Sequence, residues 1–145
     1  MRILLDTNVL LSNFQSTRED HDTVREALRR LVTGGWELCI CDTVIYEFWA
    51  VATRSAKANG LGLEPAAAAA ELDQILAAYL LLPEPPDMLL RWRAFCLANQ
   101  VRGNRCHDAR IAALMSVAGV EDILTQNGND FEGWIGIRPV APTDA

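Results

Sequence analysis

Short apolar runs that stop at polar residues alternate along this chain with longer segments whose apolar side chains recur every three or four positions. Residues 2–5 ("RILL"), 36–41 ("WELCIC") and 122–125 ("DILT") read as strands. A short helix is expected after Thr7. Another spans 21–33, with Val24, Leu28, Leu31 and Val32 on one stripe and Gly34-Gly35 to stop it. A third covers 43–57, carrying Val44, Ile45, Phe48, Val51 and Ala52 on one face. Beyond a break at 59–63 ("NGLGL"), the spacing predicts helices over about 65–79, 87–99 and 107–118, with brief strands in 80–86 and near Ile137. Strands alternating with helices imply a parallel sheet covered on both faces, a three-layer α/β/α sandwich. No repeat or long linker divides the chain, so residues 1–145 are expected to form one domain.

Composition narrows the function. Hydrophobic residues make up 50% of the chain and charged ones 22%, which excludes a disordered segment. No apolar run approaches the ~20 residues that span a bilayer. The first residues lack a basic lead and a long apolar core, and Asp6 interrupts them. A cleaved signal peptide is therefore not expected, and the expected location is the cytosol. Cys39 and Cys41 flank Ile40 in an apolar run while Cys96 and Cys106 stand apart, so buried reduced thiols are expected rather than a zinc site, whose spacing rules they do not match. Lys57 is the only lysine and no GKS/T follows a glycine loop, which excludes a P-loop. A net charge of −6 argues against holding nucleic acid by bulk charge. Between Arg91 and Arg110, however, five arginines meet a single acid, Asp108.

In a parallel sheet of this kind, the carboxyl ends of strands and the amino ends of the returning helices share one edge, where ligands bind. Asp6 ends the first strand. Glu47 lies about one turn into the helix leaving the second. Asp108 opens the helix that returns to the 122–125 strand, and Asp130 follows that strand in "TQNGNDF". Each has an ordinary explanation by itself: Asp6 as a helix cap, Asp108 as an acid in a first helical turn, Glu47 as a surface residue, Asp130 as a turn residue. Asp42-Thr43 repeats the arrangement of Asp6-Thr7, and Asp42 is expected to cap the 43–57 helix. Together on one edge, four carboxylates repel unless a cation neutralises them. Oxygen-only ligands favour Mg²⁺ or Mn²⁺. Asp108 also shares its helical face with Ile111, Ala112 and Met115, which turns it inward.

"LLDTNVLL", "TVIYEF", "CHDARIAAL" and "LTQNGNDFEG" together resemble the PIN-domain family, and within it the small VapC-type toxins of prokaryotic toxin–antitoxin pairs. The resemblance runs in order over essentially the whole chain. It implies an endoribonuclease dependent on Mg²⁺ or Mn²⁺ that leaves a 5′-phosphate and a 3′-hydroxyl on its RNA substrate. It also implies a cognate antitoxin protein and a homodimer or toxin–antitoxin hetero-oligomer. Asp6, Glu47 and Asp108 match the first three catalytic, metal-binding acids of the family. Many relatives carry the fourth where this chain has Asn127; Asp130 is the nearby acid and is assigned that place here. Thr7, Asn8, Thr125 and Asn127 match supporting positions. Arg105 and Arg110 either meet substrate phosphate or pair with neighbouring acids. The apolar surplus in helices 43–80 would offer a groove to an amphipathic antitoxin segment. The rival readings are a catalytically idle PIN fold that binds RNA, a DNA nuclease of the same superfamily, and a receiver-type signalling domain. The last needs a lysine beside its acids, and Lys57 falls near the far end of its helix.

Overall fold

β1 (Arg2–Leu5) is the central strand of the computed structural model, which describes residues 1–145. β2 (Glu37–Ile40) and then β3 (Leu80–Leu81) lie on one side of it, β4 (Asp122–Leu124) and then β5 (Arg138–Val140) on the other. All four neighbouring pairs are parallel. α1 (Thr7–Phe14) and α2 (His21–Thr33) connect β1 to β2, and α3 (Asp42–Thr53) and α4 (Pro65–Ala78) connect β2 to β3. α5 (Met88–Ala98) and α6 (Arg105–Ala118) then carry the chain back past β1 to β4. Right-handed crossovers that reverse direction in this way put the last helix pair on the opposite face of the sheet. Ile3, Leu4 and Leu5 are all shut off from water although consecutive strand residues face opposite ways, so both faces of β1 are covered. The expected three-layer α/β/α sandwich is the fold observed, around a core cluster of 32 buried residues. No helix is long and apolar enough to cross a membrane.

Three boundaries differ from the sequence reading, each for a local reason. The third helix ends at Thr53, short of residue 57, because the following chain folds back to cap it. Leu61, Leu63 and Gly62 donate their backbone N–H groups to the carbonyls of Val51, Ala52 and Arg54 at 3.0, 2.9 and 2.8 Å. Ala56–Ala58 form a 3₁₀ turn on the way. The sixth helix begins at Arg105, two residues before the expected 107, so Asp108 lies inside its first turn. It ends at Gly119, whose φ of +68° only glycine adopts freely, and β4 follows directly. The last strand is Arg138–Val140, just beyond Ile137, where the Arg138 guanidinium grips Asp122 with two 2.9 Å bonds.

The return loop requires a glycine at position 60. A Cβ there would lie 2.0 Å from the Arg54 carbonyl oxygen. Gly60→Ala should therefore cost more than ~1 kcal/mol in urea unfolding. An unchanged midpoint would contradict the close packing of this loop on the end of α3.

Candidate active site

The strand order reverses direction at β1 and β4, and the crevice beyond the carboxyl ends of these two strands is where α/β sheets bind ligands. Asp6 leaves β1 at this point. Its backbone N–H continues the pairing to the Leu124 carbonyl at 3.0 Å. Asp6 caps α1 by accepting the Thr7 N–H at 2.7 Å. Its other oxygen accepts the Thr125 hydroxyl at 2.7 Å and the Asn8 amide at 3.1 Å. The ordinary capping role and a place in the site therefore coincide in one residue. Glu47, on α3, accepts the Thr7 hydroxyl at 2.7 Å. Asn127 donates its backbone N–H to the Thr125 hydroxyl at 3.0 Å. Gln126, which the sequence did not single out, donates its N–H to Asn8 at 3.2 Å and its side-chain amide to the buried Ser12 hydroxyl at 3.2 Å. Its only signal was its place between Thr125 and Asn127.

The charges of the four acids act on one another. Burial pushes the Asp6 carboxyl up, the Thr125 and Thr7 bonds pull it down, and the charges of Glu47 and Asp130 raise it again. Asp108, half-buried, is raised from an ordinary 3.8 to about 6, first by burial and then by Asp130, Asp6 and Glu47, with Arg105 opposing. Asp6, Glu47, Asp108 and Asp130 thus share one electrostatic site at the expected edge, although they come from four separate segments. No three Asp, Glu, His or Cys side chains are already gathered into a group that could hold a metal ion. The donor set nonetheless fits a hard cation. Every donor is oxygen, neighbouring acids add to the proton affinity of Asp6 and Asp108, and Mg²⁺ keeps several waters while taking only one or two carboxylates.

The two arginines go different ways. Arg110 bonds Asp42 at 2.9 Å and the Thr43 hydroxyl at 3.2 Å, and its other nitrogen bonds Glu84. Arg105 stacks 4.5 Å from the centre of the Trp134 ring and donates to the Asp130 carbonyl at 3.2 Å, steadying the loop that bears that acid. Asp42 is the first residue of α3 and not its cap, which is Cys41. Its carboxylate still accepts the Thr43 N–H at 2.8 Å, but it is also tied to Arg110, a partnership that local pattern could not reveal. Burial pushes the Cys39 and Cys41 thiols up to about 11 and about 12, so both stay protonated.

A model of the PIN domain matches residues 3–132. The chain belongs to the PIN-domain family. No curated protein matches its sequence. Solved structures share the PIN fold over nearly the full length of both chains. One is VapBC2 from Rickettsia felis bound to a fragment of promoter DNA (15% identity, 97% of this chain and 98% of that one, TM-score 0.72). Another is a toxin–antitoxin complex from Klebsiella pneumoniae (21% identity, 99% of both chains, TM-score 0.62). A third is Mycobacterium tuberculosis VapC20, described as a toxin cleaving the sarcin–ricin loop (17% identity, 94% and 99%, TM-score 0.66).

Burial of Asp108, and after it the neighbouring acids, ties the stability of this PIN domain to pH. The folded chain holds the Asp108 proton more tightly than the unfolded chain does, so deprotonation costs the fold stability as pH rises from 3.8 to about 6. The melting temperature of metal-free wild type should fall across that interval relative to Asp108→Asn, which lacks the titrating group. At neutral pH Mn²⁺ should raise it, and much less so in Asp6→Asn. A wild-type-minus-variant difference that stays flat with pH would contradict this electrostatic picture.

Proposed function

We propose that this PIN domain is a Mg²⁺- or Mn²⁺-dependent endoribonuclease acting in the cytosol, the toxin of a toxin–antitoxin pair. The convergence of Asp6, Glu47, Asp108 and Asp130 at the β1–β4 crevice carries the reading. Asp6, Glu47 and Asp108, with Asp130 as fourth acid, would hold the cation, which when bound supplies polarisation of the scissile phosphate and acidification of a water. Thr7, Asn8 and Thr125 aim the Asp6 and Glu47 carboxylates before substrate arrives. A carboxylate of the same edge that does not hold the cation would take the proton of the attacking water. Attack at phosphorus then leaves a 5′-phosphate and a 3′-hydroxyl, and no Ser, Cys or His is required as nucleophile. Asp130 is preferred to Asn127 because its charge raises both Asp6 and Asp108. RNA as substrate is supported by the motifs of the sequence and by the activity ascribed to the similarly folded VapC20.

The exposed Phe14, Tyr46, Trp49 and Leu76 on α1, α3 and α4 support a protein partner, either the cognate antitoxin or a second copy of the chain. Expression of the chain by itself should arrest growth, and Asp108→Asn should be harmless at equal abundance. Equal toxicity of the two would count against nuclease action.

Purified protein with total RNA and Mn²⁺, with and without EDTA, tests the activity directly. Asp6→Asn and Asp108→Asn should each lose at least ~100-fold in cleavage rate. Asp130→Asn should fall steeply, and Asn127→Ala should keep most activity. The reverse order would move the fourth acid's role to Asn127. Cleavage of DNA in place of RNA would favour a DNA nuclease. No hydrolysis of either at any Mn²⁺ concentration would favour an idle RNA-binding module.

A further inference from the structure

Beside the acids lies a cleft of about 350 Å³, within the ~300–1,000 Å³ usual for small-ligand sites. We propose that it is a nucleobase subsite that receives one unstacked guanine of the RNA substrate. The cleft adjoins the acids through two elements. Thr43 precedes Glu47 by one turn of α3, and His107 directly precedes Asp108 on α6; both line the cleft.

Its walls are of two kinds. Trp92 lines it with an indole whose position is fixed, because its N–H is spent on the Cys106 carbonyl at 2.8 Å. Proteins that read single-stranded RNA stack splayed bases on such rings and bond their Watson–Crick edges. Opposite in character are Glu84 and Arg110. The Arg110 guanidinium is held from behind by Asp42, whose side chain is 22% exposed, while Glu84 is the outer partner at 40%. Glu84 can therefore turn toward a base without stranding the guanidinium.

This pair selects among the bases. A carboxylate offers two acceptors side by side and a guanidinium offers donors. Guanine alone presents two adjacent donors, N1–H and the N2 amino group, next to an acceptor, O6. Glu84 takes the two donors and Arg110 reaches O6. Adenine, cytosine and uracil each present a single donor group on that edge and leave one carboxylate oxygen unmatched. Like charge assists: Asp42, the other acid paired with Arg110, raises the Glu84 carboxyl above its ordinary value, so a neutral donor edge relieves the crowding of the two acids.

The subsite rests on the ribonuclease reading for its substrate, so binding and cutting are measured separately. Full-length protein labelled with ¹⁵N gives one indole N–H signal for each of its 4 tryptophans, and Trp92→Phe assigns the relevant one. In EDTA, GMP should shift the Trp92 signal saturably, more strongly than AMP, CMP or UMP. Glu84→Gln, a change at an exposed position, should weaken GMP ~10-fold, the loss expected for a bidentate base contact. On short single-stranded RNAs with Mn²⁺, cuts should cluster beside guanine, and Glu84→Gln should lower kcat/KM for these sites about 10-fold while leaving other sites nearly unchanged. Equal response to all four nucleotides, or a cutting preference unaltered in Glu84→Gln, overturns the subsite. Selective GMP binding without RNA cleavage supports it and counts against the nuclease reading alone. Cleavage without base preference does the converse.

Discussion

A carboxylate that is 7% exposed must be compensated by donors or by a cation, and Asp6 is such a carboxylate at the end of the central strand. Its donors are Thr7 and Asn8 on the turn into α1 and Thr125 at the end of β4. Satisfying one buried charge therefore fixes three things together: where α1 starts, how β4 registers on β1, and how the following loop leaves the sheet. The Thr7 hydroxyl extends the same constraint to Glu47 and so to α3. No buried side-chain nitrogen or oxygen is left without a hydrogen-bond partner. What remains uncompensated at this edge is charge against charge, and a bound cation relieves that in a way that hydrogen bonds cannot.

Most of the candidate site was legible in the sequence because its residues sit where short-range rules put them. Asp6 is fixed by a strand end, Asp108 by a first helical turn and Glu47 by its place one turn further into α3, features that apolar periodicity marks well. The scaffold was legible for the same reason, down to the brief β3 at Leu80–Leu81. Partnerships made over long sequence separations were not. Arg110 reaches Asp42 and Glu84, 68 and 26 residues away, and nothing in "CHDAR" distinguishes that from a phosphate contact. The stacking of Arg105 on Trp134 is hidden in the same way. The early end of α3 was missed because the groups that cap it lie eight to ten residues ahead in the chain, at Leu61, Gly62 and Leu63.

Rigidity and adaptability are divided between the two halves of this edge. On the β1–β4 side, short side chains (Asp6, Thr7, Asn8, Thr125) make short bonds among themselves and with the backbone, which leaves few rotamers open. On the α3–α6 side the groups are longer and wetter: His107, and Glu84 and Arg110 with their ion pair near the surface. Ion pairs this exposed add little stability. Their geometry is correspondingly free to be exchanged for contacts with something else.

The sheet order has a temporal consequence. β1 cannot be flanked on its second side until the chain has run through β2, α3, β3 and both helices of the last crossover to reach β4 at Asp122. Contacts that span so much chain carry a larger loop-closure cost, which has to be met before they return any energy. Asp6 obtains its Thr125 bond, and Asp108 and Asp130 come within range of it, only at that stage. A chain stalled at an earlier point has a sheet edge where the acids should meet and nothing assembled on it. Completion of the sheet and assembly of the charged edge thus depend on the same pairing of β1 with β4.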